Sequence, residues 1–105
     1  MREILAAAFV FGLGASSAAW AQTAMDDYKT AMQKMHESSL MQSSGDADVD
    51  FVRMMIPHHQ AAIDMAKAEL KHGKDAPTRK LAKAIIAAQE KEIAEMNAWL
   101  ALRKK

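Results

Sequence analysis

Two adjacent histidines surrounded by methionines are the residues of this chain with the clearest capacity for chemistry. Met54, Met55, His58 and His59 lie within six positions, Met65 follows, and the chain has no cysteine. Imidazole nitrogen and thioether sulfur are ligands that suit copper far better than magnesium or calcium. The composition of this segment therefore predicts a copper site.

The spacing of this segment leaves two arrangements open. Neighbouring residues of a helix point about 100° apart, so His58 and His59 do not chelate one ion as a simple pair. Each histidine has a methionine four residues earlier, which lets two side chains of one helix share a ligand. The alternatives are two neighbouring Met–His half-sites, or one site gathered by a helix distortion at Pro57. The alternative to a metal site is a purely structural role, in which both histidines pack with satisfied hydrogen bonds and the methionines fill the core.

A second, weaker group of the same type precedes this segment. Met32 and His36 are again four residues apart, and Met35 adjoins His36. These three residues are candidates for a weaker metal site. The alternative is a loosely packed amphipathic helix with His36 at its solvent boundary.

Polar residues within the last apolar stripe are candidates for supporting the histidines. Gln89, Glu92 and Met96 share one helical face with isoleucines and leucines. We expect Gln89 or Glu92 to accept a hydrogen bond from an imidazole, and Met96 to add a thioether ligand. Alternatively, Gln89 bonds across a helix interface and Glu92 reaches water.

A metalloenzyme is a third hypothesis, based on Glu69 and His72. This is one Glu-x-x-His element, whereas di-iron bundles use two copies with additional carboxylates, so only a homodimer would assemble such a site. His72 adjoins Gly73 and is better explained as a cation at a helix C-terminus. The sequence contains no zinc-protease motif, phosphate-binding glycine loop or cysteine nucleophile, and we predict a protein that is not an enzyme.

Three helices must position these residues, and no segment is typical of a strand. They are predicted at about residues 24–42, 49–72 and 76–102 of a single domain spanning 22–105. We expect Asp48 to cap the second helix, Gly73 to end it, and a kink or break at Pro57. Asp75 and Pro77 open the third.

The short connection between the last two helices predicts an all-α fold built on a long antiparallel hairpin. One hairpin cannot bury both apolar faces. The N-terminal helix therefore completes a three-helix bundle, or the hairpin is half of a dimeric ferritin-like four-helix bundle.

The N-terminus has the pattern of a secretory signal peptide. An apolar run covers Ile4–Leu13, and Ala19-Trp20-Ala21 supplies a cleavage pattern, which predicts a signal over residues 1–21 and a mature chain beginning at Gln22. We expect a periplasmic or secreted protein that is not held in the membrane after signal removal. The formal net charge of +1 gives no electrostatic footprint for nucleic acid.

Two blocks of this sequence resemble the family catalogued as domain of unknown function 305. The blocks are Phe51–Ala62 with Met65-Ala66, then Leu81-Ala82, Ile85-Ile86, Gln89, Glu92-Ile93, Met96 and Trp99-Leu100. Members are ferritin-like helical proteins, usually exported, and some are associated with copper tolerance. The resemblance implies a metal environment of Met54, Met55, His58, His59, Met65 and Met96, with Gln89 and Glu92 at matching positions of unassigned role.

The expected function is therefore copper binding. The protein would buffer, sequester or hand over copper to an accepting protein, with Cu(I) held by Met and His and Cu(II) bound through imidazole as an alternative state. The first rival hypothesis is a methionine-rich helical module that docks a partner or a second copy without metal. The second is the dimeric ferritin-like metalloenzyme.

Overall fold

The computed structural model describes residues 17–103 and is built of three α-helices. These are α1 (Ser17–Ser38), α2 (Ala47–His72) and α3 (Ala76–Ala101), with no strand in the described range. The all-α prediction is confirmed. No helix among the described residues is long and apolar enough to cross a membrane. The apolar run Ile4–Leu13, on which the signal prediction rests, lies outside the described residues.

Helix α1 is shifted toward the N-terminus relative to its prediction. It begins at Ser17 instead of about residue 24, and ends at Ser38 instead of about residue 42. The early end has a local cause in Ser39, whose hydroxyl donates to the carbonyl of His36 at 2.7 Å. Its backbone N–H also bonds back to Met35, at 3.0 Å. Serine side chains that bond to the backbone in this way commonly mark helix ends.

Helix α2 begins two residues before its predicted start, and Asp46 caps it instead of Asp48. The backbone at Asp46 is extended, and its carboxylate accepts from the amide of Asp48 at 2.9 Å and from that of Val49 at 3.3 Å. The prediction of Asp48 was wrong because both aspartates are good capping residues, and sequence alone does not select between them.

Helix α2 continues through Pro57 without a break, so the predicted alternative of a helix break is wrong. A tight connection then leads into α3, where Asp75 accepts from the amide of Thr78 at 3.0 Å. Hydrogen bonds from Thr78 hold the pKa of Asp75 below its usual value. Arg79 of α3 donates to the carbonyls of Leu70 and Gly73, at 2.6 and 3.0 Å, which satisfies the C-terminal end of α2.

Helix α2 is the centre of the molecule. Both α1 and α3 pack against it, and within residues 17–103 the backbones of α1 and α3 do not approach each other closely. The three helices therefore form a thin layer.

The buried apolar residues of this layer are small. They are Ala31, Ala61, Ile63, Ala66, Ala68 and Ala82. No large side chain among the described residues is fully buried. The alanines let the helices approach closely, and most long apolar side chains stay partly exposed.

Candidate metal centre

A histidine–glutamate pair joins α2 to α3. His59 Nε2 donates a hydrogen bond to Glu92 Oε2, and the side chain of His59 is 18% exposed while that of Glu92 is 50% exposed. An ionised carboxylate only accepts, so it places the proton of a neutral imidazole on Nε2. Nδ1 of His59 then keeps its lone pair, which is the state required of a metal ligand.

Two methionines lie beside this pair. Met55 is one turn before His59 on α2, and Met96 is one turn after Glu92 on α3. Because the two helices are antiparallel, these turns lead in the same direction along the hairpin. Both thioether side chains accordingly line one groove of about 510 Å³ together with His59 and Glu92.

The remaining walls of this groove are aromatic, aliphatic and acidic. They are contributed by Phe51, Val52, Glu95 and Trp99. The guanidinium of Arg103 lies 3.4 Å from the centre of the Trp99 ring, a cation–π contact that holds the indole at the end of the groove. We name the groove formed by these eight lining residues the His59 groove.

The structure separates the two adjacent histidines. Met54 and His58 are exposed, about 100° around α2 from Met55 and His59. Met65 lines a different groove, of about 330 Å³, which Leu81 also lines. The Met54–His58 and Met55–His59 pairs therefore lie on different sides of α2.

The weaker candidates are placed away from the His59 groove. Met32 and His36 are exposed on α1, and Met35 lines a cleft of about 250 Å³ beside Pro57. Gln89 is half-buried on α3 and does not line the His59 groove. Of the two polar candidates on α3, Glu92 is therefore the one that contacts a histidine.

A second histidine–carboxylate pair was not predicted from the sequence. His72 Nε2 lies 2.7 Å from Asp27 Oδ2, which links the end of α2 to α1. The side chain of His72 is only 6% exposed, and its Nδ1 is buried without a hydrogen-bond partner. Asp27 and His72 are 45 residues apart in the sequence, and no local sequence pattern predicts that they form a pair.

The Asp27–His72 pair lies outside the His59 groove, since neither residue lines it. Its neighbour is Tyr28, whose pKa is raised by burial and by the carboxylates of Glu69 and Asp27. Among the described residues, no group of three or more histidine, aspartate or glutamate side chains is placed to hold a metal. The side-chain groups in the His59 groove that could bind a metal are one imidazole, two carboxylates and two thioether sulfurs.

Fold and groove define a class: a small all-α protein with a Met–His–Glu groove between two antiparallel helices. Residues 3–100 match the family described as Domain of unknown function (DUF305), and the chain belongs to this family. The resemblance seen in the two sequence blocks is thus confirmed.

A relative also matches part of the chain. It is 44% identical over 57 residues to "Uncharacterized protein L153" of Acanthamoeba polyphaga mimivirus. The match covers 54% of this chain and 38% of that protein, so the chain spans well under half of its relative's length. Neither the family's description nor the relative's name states an activity.

Proposed function

We propose that this protein binds copper in the His59 groove and carries it as cargo. The observation that supports the proposal most is the His59–Glu92 hydrogen bond in a groove also lined by Met55 and Met96. The glutamate orients the imidazole and leaves Nδ1 free, while the two methionines supply soft sulfur. These are separate requirements of a copper site, and here they coincide.

Copper fits this donor set better than other common metals. Calcium and magnesium need six or more oxygen ligands, and structural zinc sites are built from cysteine and histidine. Thioethers select Cu(I), and imidazole also serves Cu(II). We therefore expect Cu(I) to bind most tightly, Ag(I) to compete with it, and Cu(II) to bind through His59.

The proposed role is to buffer, sequester or hand over copper, with no chemical turnover. Glu92 is half exposed and the groove opens along one face of the hairpin, so an ion held there stays accessible to an acceptor protein. We place this activity in the periplasm or outside the cell, on the basis of the predicted signal over residues 1–21.

The alternative function is a methionine-rich interaction module. Met25 and Met32 of α1 and Met54 of α2 are each about half exposed, and exposed methionines favour adaptable protein contacts. The metalloenzyme hypothesis would need a second copy to supply carboxylates and histidines, because no three-residue cluster of that kind forms in the described part of one chain.

The test is an anaerobic Cu(I) titration of the purified protein against a colorimetric Cu(I) chelator, followed by X-ray absorption spectroscopy. We expect Cu–S and Cu–N scattering at equimolar loading, and loss of the groove-bound ion in His59→Gln. The matched control is His72→Gln, which alters a histidine that pairs with Asp27 away from the groove and should leave uptake unchanged. Absence of Cu–S and Cu–N scattering in the wild type would overturn the proposal and favour the interaction module.

A further inference from the structure

A second groove of the α2–α3 hairpin is also lined by a residue of α1. Its volume is about 330 Å³, and it is formed by four residues within 62–69 of α2, four within 78–85 of α3, and Tyr28. We name it the Glu69 groove. It shares no lining residue with the His59 groove, so it is a separate feature of the hairpin. A concave volume of about 300–1,000 Å³ with mostly apolar walls is typical of a small-molecule site.

The polar residues of the Glu69 groove gather at one end. Glu69 lies near the end of α2 and Thr78 near the start of α3, so both are next to the short connection between the helices. Ala62 and Ile85 line the groove seven residues further along the two antiparallel helices, about 10 Å away from that end. The groove therefore has a polar end and an apolar length.

The apolar length has a floor of alanines and walls of longer side chains. Ala66 and Ala82 are buried where α2 approaches α3, and both line the groove. Met65 is 36% exposed and Leu81 is 59% exposed, so these walls face water. An apolar chain that lies on the alanines between these walls removes their surface from water, which is the main favourable term in binding apolar ligands.

The carboxylate at the polar end is held by two neighbours. Glu69 accepts a hydrogen bond from the hydroxyl of Tyr28 of α1. The same carboxylate lies over the backbone of Gly73, where a β-carbon would overlap it. A carboxylate that is already positioned loses little freedom when a ligand binds, so more of the interaction is retained as affinity.

The negative charge of Glu69 is not compensated by a neighbouring side chain. In the part of the chain that the structure describes, no lysine, arginine or histidine forms an ion pair with it. Arg79 reaches the same end of α2, but its guanidinium donates to backbone carbonyls there. Burial, together with the negative charges of Glu69 and Asp27, raises the pKa of Tyr28. This end of the groove therefore favours a cation and disfavours a further anion.

We propose that the Glu69 groove binds a small amphiphilic cation, an organic ammonium that carries a short apolar chain. The ammonium pairs with the carboxylate of Glu69, and the chain lies along the alanine floor between Met65 and Leu81. Hydrogen bonds between ions are stronger than those between neutral groups, so the head group gives the site its selectivity. This binding is independent of the proposed copper site, because the two grooves have no lining residue in common.

The test is isothermal titration calorimetry of the full-length purified protein with hexylammonium, 1-hexanol and hexanoate. We expect hexylammonium to bind at neutral pH, hexanol to bind about 10-fold more weakly, and hexanoate to give no measurable heat. Because the probes carry comparable apolar chains, the differences between them report the contribution of the head group.

Two substitutions change the polar end of the groove in different ways. Glu69→Gln removes the charge and keeps the shape of the side chain, so it should weaken hexylammonium binding about 10-fold and leave hexanol binding unchanged. Gly73→Ala keeps the charge but displaces the carboxylate, so it should also weaken hexylammonium binding. Glu90→Gln is the matched control, since it makes the same chemical change at an exposed position of α3 outside the groove. Circular dichroism should show equal helicity in the three variants.

A local readout separates binding in the groove from loose association with the protein surface. Tyr28 is the only tyrosine in the sequence, so its ring signals can be followed in a proton NMR spectrum. They should shift as hexylammonium saturates the wild type and stay in place when hexanoate is added. The indole signals of Trp99, which lines the His59 groove, should stay in place with both probes.

Absence of hexylammonium binding by the wild type would overturn the proposal, and a dimeric molar mass by light scattering would then indicate that a second copy covers the groove. Equal affinities for hexylammonium and hexanol would also overturn it, as would unchanged binding in both groove variants. A loss of affinity in Glu90→Gln equal to that in Glu69→Gln would overturn the location of the site.

Discussion

Two histidine–carboxylate pairs join the helices of this protein, and they lie in very different surroundings. His72 and Asp27 connect α2 to α1, and the imidazole is only 6% exposed. His59 and Glu92 connect α2 to α3 at the wall of an open groove, where the imidazole is 18% exposed. The hydrogen-bonding chemistry of the two pairs is the same.

The difference between the pairs lies in their neighbours. The thioethers of Met55 and Met96 line the groove beside His59, whereas Asp27, the partner of His72, lies next to Tyr28, and neither residue of that pair lines the His59 groove. A histidine oriented by a carboxylate becomes a copper ligand only where further soft donors and an entry path exist. We therefore interpret the His72–Asp27 pair as a structural link and the His59–Glu92 pair as the proposed copper site.

The largest expected effect comes from removing both adjacent histidines. His58→Gln combined with His59→Gln should abolish copper uptake and leave helicity largely intact, because neither residue is fully buried. The matched variant His72→Gln should keep full uptake. Equilibrium dialysis with copper analysis measures both, and uptake by the double variant equal to the wild type would remove the pair from any copper site.

The next effect concerns the carboxylate that orients His59. Glu92→Gln should weaken Cu(I) affinity about 10–100-fold, the usual cost of losing the acceptor behind a ligating histidine. Competition titration with a chelator measures the change. Asp27→Asn makes the same chemical change at the other pair and is the control; a similar loss of affinity there would contradict the distinction between the two pairs.

The free energy of unfolding should depend more on the His72–Asp27 pair than on the His59–Glu92 pair. His72→Ala should lower the free energy of unfolding by about 1–2 kcal/mol, since it removes a mostly buried link to a half-exposed carboxylate. In metal-free protein, Glu92→Ala should cost less, because Glu92 is 50% exposed. Urea denaturation followed by circular dichroism compares the two, and a larger loss for Glu92→Ala would reverse the interpretation.

The smallest effect is the titration of the only tyrosine in the sequence. Burial and the carboxylates of Glu69 and Asp27 raise the pKa of Tyr28, so its neutral form is favoured in the folded state. The resulting stability is present below the pKa of unfolded tyrosine and is lost as the pH rises through the folded pKa.

Spectrophotometric titration of the phenol measures this shift directly. Glu69→Gln should bring the pKa of Tyr28 back toward its ordinary value, whereas Glu92→Gln should leave it unchanged because Glu92 lies on the other helix interface. Equal shifts in the two variants would show that the interfaces are not independent.

Much of the architecture was predictable because it depends on local patterns. The hairpin helices were predicted within two residues at each end, since Asp75, Pro77 and Gly73 are strong boundary signals. The first helix was placed less well, because Ser39 ends it through a hydrogen bond that a serine-rich stretch does not specify in advance. The cap at Asp46 was missed for a similar reason.

The candidate site was predictable only in part. The type and spacing of Met55, His59 and Met96 were sufficient to name them as candidate ligands, and the polar residue Glu92 stood out in an apolar stripe. Which histidine would contact Glu92 was not predictable, because His58 and His59 lie on the two flanks of one wide apolar sector. The Asp27–His72 pair is a contact between distant residues without a local pattern.

The amino-acid sequence by itself determined three helices, a hairpin and a supply of soft donors, since these follow from periodicity, capping residues and residue type. Only the tertiary structure decided where each donor lies. Because α1 and α3 pack on different sides of α2, large apolar side chains such as Phe51 and Leu81 stay exposed. Neighbouring residues of an α-helix are rotated by about 100° about its axis, so His59 lines the α2–α3 groove whereas His58 lies outside it.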